Sequence, residues 1–397
     1  MCERVNDGEL YVQLTIQYYL PRVDYRLRFE YIYWIMSCSM NEVDFLPAKN
    51  SQGDIWHPVV ERLAVMLSAS SELKLELVKA IEKTRRFKKP SLQNYCELVH
   101  KMQTMVPHPK DWLPLNLEFY YVIACSEQGF LRQSENFMEW VRYYVGTIGL
   151  WMNDSASTSG LHNYLNDPDY CIQDFVEPPG GWQTFNQFFS RQIRPGARPI
   201  TSINNDSIIV SSADSQFCGF YEIQSNSTVI AKGMQWNIHE LLDDSQYCNE
   251  FVGGVYCHSF LSPTNYHRFH TPVRGRLLEM RTIFGAVNME VYCMPNGQLS
   301  VSRSEIGYQF NQERGIAIVD SPIGLVAVIP IGMGVVSSVT FSAKPNSTLE
   351  KGSELGFFSF GGSDVVLLFQ NKSHITWNVA VDDVKRQGEQ IATSAFS

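Results

Sequence analysis

The sequence predicts an α+β fold, with a helical domain in residues 1–180 and a mainly β domain in residues 181–397. Three observations support this prediction. Residues 55–152 carry apolar side chains at helical spacing. Residues 178–181 read Pro-Pro-Gly-Gly, which is typical of a linker. After residue 200 the pattern changes to short β-branched runs separated by Gly, Asn and Pro turns, as in all-β domains.

Helix boundaries in the first domain follow from caps and breakers. Ser71 is expected to cap a helix that Pro90 ends, and Ser91 to cap the next. Two further helices are predicted at residues 117–126 and 136–152. In the second domain, the Lys-Gly turn of residues 351–356 has a faint echo in residues 386–392. Such an echo favours a sandwich-like β fold with a quasi-repeated turn.

Composition narrows the function classes. A length of 397 residues favours two domains, and a net charge of −9 argues against non-specific nucleic-acid binding. Nine scattered cysteines without a C-x-x-C pair predict reduced thiols and a cytoplasmic protein. We see no signal peptide, and the longest apolar run, residues 325–336, is too short to span a bilayer. No integral membrane segment is therefore expected.

The sequence Gly361-Gly362-Ser363 lies between two apolar runs that are predicted to be strands. It is either a structural tight turn or a place where the backbone is cut. Glycine adopts conformations closed to other residues, so the Ser363 hydroxyl could reach the carbonyl of Gly362. Attack there gives an ester, and elimination followed by hydrolysis leaves a pyruvoyl group at residue 363.

Two other segments supply groups that could activate such a hydroxyl. His267 and His270 lie three residues apart in a loop bracketed by prolines, and Asp214 follows a strand-like run. A Ser, a His and an Asp are the parts of a hydroxyl-activating triad, whatever their order in the chain. Structural hydrogen bonding by the histidines is the plainer alternative. A metal pair is a weaker one, because no third ligand stands at a suitable spacing.

These segments, in this order, resemble the phosphatidylserine decarboxylase family of pyruvoyl enzymes. The resemblance covers roughly residues 182–392 and implies a barrel-sandwich-type catalytic domain. Further matching segments are Phe188-Phe189-Ser190-Arg191 with residues 194–199, Lys232-Gly233 with residues 238–242, Asn311-Gln312-Glu313-Arg314, and residues 332–338, 351–356 and 384–392.

The resemblance implies a zymogen that cleaves itself between Gly362 and Ser363, with Gly361 beside the cut. Ser363 would become the pyruvoyl group, and neither pyridoxal phosphate nor a metal would be needed. His270 would act as base on the Ser363 hydroxyl, Asp214 would orient His270, and His267 would assist protonation or substrate binding. The partners implied are a small-molecule amino-acid substrate and the chain's own two cleaved pieces. A homodimer is compatible with the sequence.

The substrate is open at this level. The helical N-terminal region is similar to that of the fungal tryptophan decarboxylase branch, so a free aromatic L-amino acid, decarboxylated through a Schiff base, is the first expectation. Phosphatidylserine, converted to phosphatidylethanolamine, is the alternative. Asp364 replaces a threonine common at the cleavage site of the lipid enzymes, and a buried carboxylate there should disfavour a phosphate head group.

Two rival classes use the same residues differently. A serine hydrolase could employ Ser363, His270 and Asp214, but the G-x-S-x-G elbow is missing, since Asp364 and Val365 follow Ser363. A non-catalytic protein could have kept the β fold alone. The presence of Asp214, both histidines and Gly362-Ser363 together argues against it.

Overall fold

The computed structural model describes residues 45–87, 90–107, 110–231, 234–301, 308–334, 338–360 and 362–396. Within these ranges, helices dominate between residues 45 and 170 and strands after residue 207, which confirms the α+β class. The α-helices of these ranges are α1 (Pro58–Ala69), α2 (Ser71–Thr84), α3 (Leu92–Met102), α4 (Trp112–Ala124), α5 (Phe130–Gln133), α6 (Glu135–Trp151), α7 (Leu161–Leu165), α8 (Phe185–Phe189) and α9 (Ile238–Leu241).

The described strands pair in antiparallel fashion. They are β1 (Phe175–Val176), β2 (Gln192–Ile193), β3 (Ile208–Val210), β4 (Ser215–Glu222), β5 (Thr228–Ala231), β6 (Met234–Asn237), β7 (Val255–Leu261), β8 (Arg268–His270), β9 (Gly275–Ile283), β10 (Val291–Cys293), β11 (Leu299–Val301), β12 (Arg314–Ser321), β13 (Gly324–Met333), β14 (Val339–Phe341), β15 (Thr348–Leu349), β16 (Glu354–Phe358), β17 (Gly362–Phe369), β18 (Ile375–Trp377), β19 (Val384–Lys385) and β20 (Gln390–Ser394).

One large sheet organises the β region. Its order is β15-β9-β12-β13-β17-β7-β4-β19, and smaller sheets of order β14-β16-β8 and β18-β20-β3 accompany it. Three two-stranded ribbons, β1-β2, β5-β6 and β10-β11, complete the described pairings. Within the ranges described, none of these sheets closes into a barrel.

The two faces of the large sheet bury different cores. Along β17, Val365, Leu367 and Phe369 join the apolar cluster that also contains the helical region. Val366 and Leu368 join a second cluster on the opposite face. Side chains of a strand alternate between faces, so this pattern follows from the period of two. The helical region therefore shares one continuous core with one face of the sheet.

Serine side chains cap α2, α3 and α6. Ser70, not the predicted Ser71, accepts from the main-chain N–H of Leu73 at 3.3 Å and caps α2. This helix ends at Thr84, before Pro90, because Arg85 adopts a left-handed conformation with φ of 53°. Ser91 caps α3 as predicted, accepting from Asn94 at 3.2 Å. Such caps satisfy N–H groups that the first turn leaves without partners.

The segment before Ser363, for which the sequence predicts a turn between two strands, connects two different sheets. Strand β16 lies in the small sheet β14-β16-β8, whereas β17 lies in the centre of the large sheet. Ser363 is therefore the second residue of a strand and not part of a hairpin turn. Gly361 lies outside the described residues. The segment between β7 and β8 crosses between the same two sheets, because β7 pairs with β17 and β8 pairs with β16.

The echo between residues 351–356 and 386–392 has a structural counterpart. Gly352 and Gly388 both have left-handed backbones, with φ of 81° and 86°. A Cβ on either glycine would come within 2.4 and 2.8 Å, respectively, of Cδ1 of Ile200. The two turns therefore meet around one side chain, and both need glycine for conformation and for space.

No helix in the described ranges is both long and apolar enough to cross a membrane.

We predict that Trp140→Ala will lower the free energy of unfolding by about 3–5 kcal/mol, because it opens a large cavity. Trp140 is 1% exposed and donates from Nε1 to the carbonyl of Val59 at 2.9 Å. Urea denaturation followed by circular dichroism measures the change. Leu150→Ala on the same helix is the control, since Leu150 is 41% exposed and its loss should cost far less.

Candidate active site

Ser363 occupies the middle of the large sheet. It pairs with Gly332 of β13 on one side and with Leu261 of β7 on the other. Its side chain is fully buried, and its Oγ has no hydrogen-bond partner within the described part of the chain. A buried hydroxyl without a partner costs free energy, so its presence calls for a chemical explanation.

Asp364 points to the opposite face of the sheet. Its Oδ2 lies 3.3 Å from Nε2 of His258, and both side chains are buried. Nε2 of His258 also lies 3.3 Å from Nε2 of Gln309. Because successive side chains of a strand point to opposite faces, Asp364, His258 and Gln309 lie on the face of the sheet opposite to Ser363. The expectation that Asp364 would repel a phosphate near the cleavage site loses its basis, because the sheet lies between the two side chains.

His267 has a buried ring nitrogen that can accept a hydrogen bond. Its Nδ1 lies 2.9 Å from the carbonyl of Asn265, and a carbonyl only accepts, so Nδ1 carries the proton. Its Nε2 is buried and has no partner within the described residues. Burial, followed by the charge of Arg191, lowers the pKa of His267 to about 3. The ring is therefore a neutral imidazole with an available lone pair.

A chain of aromatic contacts leads from His267 to the cleavage site. The imidazole stacks on Phe189 at 3.9 Å between ring centroids. Phe189 meets Phe360, two residues before Gly362, at 5.3 Å. The main-chain N–H of Phe358 donates to the carbonyl of His267 at 3.0 Å. His267, in the segment between β7 and β8, is thus connected to the segment between β16 and β17 that precedes Ser363.

His270 uses both ring nitrogens in hydrogen bonds. Its Nδ1 donates to the carbonyl of Gly352 at 2.9 Å, and its Nε2 accepts from the Tyr266 hydroxyl at 3.1 Å. Burial lowers its pKa, while the Gly352 carbonyl opposes that change. The ring is therefore held by one of the two quasi-repeated turns.

Asp214 is held by the other quasi-repeated turn. The main-chain N–H of Gln387 donates to Oδ1 at 2.8 Å. Arg198 donates to the same carboxylate from Nε at 3.0 Å and from a terminal nitrogen at 2.6 Å. This is a bidentate charge-assisted pair between two buried side chains. Asp214 also acts on His270 through its charge, raising the pKa of the ring against the effect of burial.

The structure relates His270 to Asp214 through charge, and His267 to the segment before Ser363 through aromatic contacts, without linking the residues as a triad. Within the described ranges, no hydrogen bond joins Ser363, His270 and Asp214 to one another. Gly362 begins β17 and pairs with Met333. The roles assigned to these residues remain predictions, and the hydrogen bonds define what each can do in the uncleaved chain.

Arg191 is a site residue that residue-level reasoning missed, although it lies in one of the segments behind the resemblance. Its side chain is buried, and its guanidinium lies 4.1 Å from the ring centroid of Phe175. A terminal nitrogen donates to the carbonyl oxygens of Thr264 and Asn265 at 3.1 and 3.3 Å. Arg191 thereby holds the carbonyl that fixes the tautomer of His267. Burial lowers its pKa to about 10, so it stays charged at neutral pH.

The residues present fit a pyruvoyl group, since residue 363 is a buried serine preceded by glycine and lacks a structural hydrogen bond. The described residues contain no group of three His, Cys, Asp or Glu side chains that could hold a metal ion.

Comparison with known proteins gives a consistent assignment. The sequence profile of the family described as phosphatidylserine decarboxylase matches residues 185–393. Phosphatidylserine decarboxylase proenzyme 3 of Schizosaccharomyces pombe is 32% identical over 222 residues, which cover 56% of this chain and 22% of that protein. The proenzyme of Fusobacterium nucleatum is 26% identical over 232 residues, covering 56% of this chain and 71% of that protein.

A rice relative extends the comparison to plants. Phosphatidylserine decarboxylase proenzyme 2 of Oryza sativa is 32% identical over 200 residues, which cover 50% of this chain and 31% of that protein. The chain therefore spans less than a third of the length of the fission yeast and rice relatives. The residues matched by the family profile include Ser363, His267, His270, Asp214 and Arg191.

We predict that His270→Ala will stall self-cleavage, whereas Tyr266→Phe will cleave at or above the wild-type rate. If His270 takes the Ser363 proton, removing the Tyr266 hydroxyl frees its Nε2 for that task. The fraction of cleaved chain on denaturing gels over time measures the effect. Equal impairment of the two variants would instead assign His270 a structural role shared with Tyr266.

Proposed function

Because the chain belongs to the phosphatidylserine decarboxylase family, we propose that it is a self-processing, pyruvoyl-dependent decarboxylase that acts on phosphatidylserine. Family membership rests on the profile match to residues 185–393. The observation that carries the proposal for this chain is the unpartnered, fully buried hydroxyl of Ser363, directly after Gly362 and inside a strand paired on both sides.

Self-cleavage begins at the Ser363 hydroxyl. A neutral imidazole takes the proton as Oγ bonds to the carbonyl carbon of Gly362, and the bond from that carbon to the nitrogen of Ser363 breaks. The nitrogen receives a proton, and an ester links the two pieces. Elimination releases a large chain ending in the Gly362 carboxylate, and hydrolysis of the new N-terminus releases ammonia and leaves a ketone at residue 363.

Both histidines are buried and have lowered pKa values, so both are neutral at physiological pH. The family resemblance assigns the base to His270, which accepts from Tyr266 in the structure. Nε2 of His267 is also an acceptor, and no group in the described residues donates a hydrogen bond to it. We retain His270 as base, Asp214 as the group that stabilises its charged form, and His267 as the group that faces the substrate.

The ketone at residue 363 supplies an electrophile that bonds the substrate amine and accepts electrons as carbon dioxide leaves. The surrounding chain excludes water and positions the reacting atoms. Phe360 contributes to this enclosure, because it packs against Trp112 at 4.9 Å and Phe185 at 5.1 Å between ring centroids. Trp112 belongs to the helical region, so that region helps to build the wall of the site.

We predict that the wild-type protein will run as two pieces, residues 1–362 and 363–397, and that Ser363→Ala will run as one. Alanine lacks the nucleophilic oxygen and is close in size to serine, so the fold should be kept. Denaturing gels and intact mass measure the outcome. An intact wild-type chain that still decarboxylates would refute the pyruvoyl assignment.

Phosphatidylserine is the substrate we place first, because the relatives are named for it. This ranking reverses the expectation from the N-terminal region, which favoured a free aromatic amino acid. One observation also supports a free aromatic amino acid as the second candidate substrate. The aromatic side chains of Trp112, Phe185 and Phe189 surround Phe360 beside the cleavage site. Such a wall suits either an indole side chain or an apolar lipid surface.

We predict that the purified, cleaved protein will release carbon dioxide from phosphatidylserine in mixed micelles faster than from any free L-amino acid. Hydroxylamine should abolish the reaction by trapping the ketone, and added pyridoxal phosphate should not raise it. Release of labelled carbon dioxide measures both. The Ser363→Ala protein is the control, and activity on free tryptophan alone would reverse the ranking.

A further inference from the structure

Glu313 lies in the same cross-strand row as Ser363. The main-chain N–H of Gly332 donates to the carbonyl of Glu313 at 2.9 Å, and Gly332 pairs with Ser363. Arg314 pairs with Ile331, which confirms that the preceding residue stands opposite Gly332. The row Glu313–Gly332–Ser363 therefore crosses the sheet, with end residues about 10 Å apart at two strand spacings.

The side chain of Glu313 is placed on the Ser363 face. Directly opposed residues of antiparallel strands share a face. The next residue, Arg314, is on the other face, where its guanidinium donates to the carbonyls of Leu241 and Glu240. Gly332 has no side chain, so β13 adds nothing to the space between Glu313 and Ser363. On that face, the row therefore places a carboxyl at one end and the future ketone at the other, with no side chain of β13 between them.

The environment of the Glu313 carboxyl favours its protonated, neutral form. Burial raises its pKa to about 8, and an interaction with the main chain of Val339 opposes this only in part. In the described ranges no cation forms an ion pair with it: Arg314 is on the other face, and His267 is neutral. Because the pKa is raised, the group holds its proton below about pH 8 and loses it above.

His267 cannot serve as the acid in the state observed. Its proton is on Nδ1 and is bonded to Asn265, while Nε2 is a lone pair. A decarboxylase needs a proton for the carbon that loses carbon dioxide. Glu313 is a carboxyl on this face, and its raised pKa keeps a proton on it at neutral pH.

We propose that Glu313 is the proton donor to the substrate α-carbon, an inference that rests on the proposed function. When carbon dioxide leaves, its former bonding pair is used to form a new C–H bond with the proton of the Glu313 carboxyl. The O–H bond breaks, and the resulting carboxylate regains a proton from water. The position of Glu313 two strands away from Ser363 in the row directs this proton to the substrate carbon and away from residue 363.

The test compares Glu313→Gln with Glu290→Gln, an exposed carboxylate that pairs with Arg132. We expect Glu313→Gln to cleave itself normally and to lose about 10²-fold to 10⁴-fold in kcat on phosphatidylserine micelles. Glu290→Gln should match the wild type in both.

A second readout reports where the proton goes. Without the donor, protonation at residue 363 followed by hydrolysis releases the substrate carbon as an aldehyde. The substrate nitrogen then stays on the small chain as an alanyl amine. During turnover the small chain of Glu313→Gln should therefore become open to amine labelling and N-terminal sequencing, while the wild-type and Glu290→Gln small chains stay blocked. Normal kcat with a blocked small chain would overturn the proposal.

A third readout needs neither cleavage nor substrate. In Ser363→Ala protein carrying ¹³C-labelled glutamate carboxyls, one resonance should titrate near pH 8 and should vanish in the Ser363→Ala/Glu313→Gln double variant. A Glu313 resonance with an ordinary carboxyl pKa would overturn the proposal, even if Glu313→Gln failed to mature. A wild-type chain that does not cleave itself would instead refute the proposed function.

Discussion

The pairing of β17 on both sides is the constraint on which the site depends. A strand held by β13 and β7 cannot rotate, so every side chain has a fixed face. Ser363 is therefore buried toward the helical region, while Asp364 is buried toward the opposite core with His258. If the pairing of β17 slipped by one residue, Ser363 and Asp364 would exchange faces. That slip is disfavoured because it would take the Asp364 carboxylate away from His258 and turn it toward the apolar core that the sheet shares with the helices.

Two quasi-repeated turns supply the other fixed points. The turn at Gly352 accepts from His270, and the turn at Gln387 and Gly388 donates to Asp214. Both turns pack against the side chain of Ile200. This shared contact fixes the distance between the turn that holds His270 and the turn that holds Asp214. Asp214 is also neutralised by Arg198. The charge of Asp214 acts on the neighbouring imidazole of His270 and raises its pKa against the effect of burial.

Burial gives the groups around Ser363 different protonation states. It lowers the pKa of His267 to about 3 and raises that of Glu313 to about 8. The first group is therefore a neutral acceptor and the second a neutral donor at the same pH. Pairs of groups whose environments separate their protonation in this way allow one site to accept and donate protons. Arg191 strengthens the difference, because its charge further disfavours a proton on His267.

The sequence by itself determined the α+β class, the helices of the first domain and the segments that resemble the family, because these depend on local periodicity, caps and residue identity. It also selected Ser363, His267, His270 and Asp214, whose roles remain predictions. Only the tertiary structure decided that Ser363 is inside a strand, that Asp364 faces away from it, and that Glu313 faces it across Gly332. These facts depend on strand register between segments far apart in the chain. No local pattern encodes that register, because it is fixed by pairing and by burial of both faces at once.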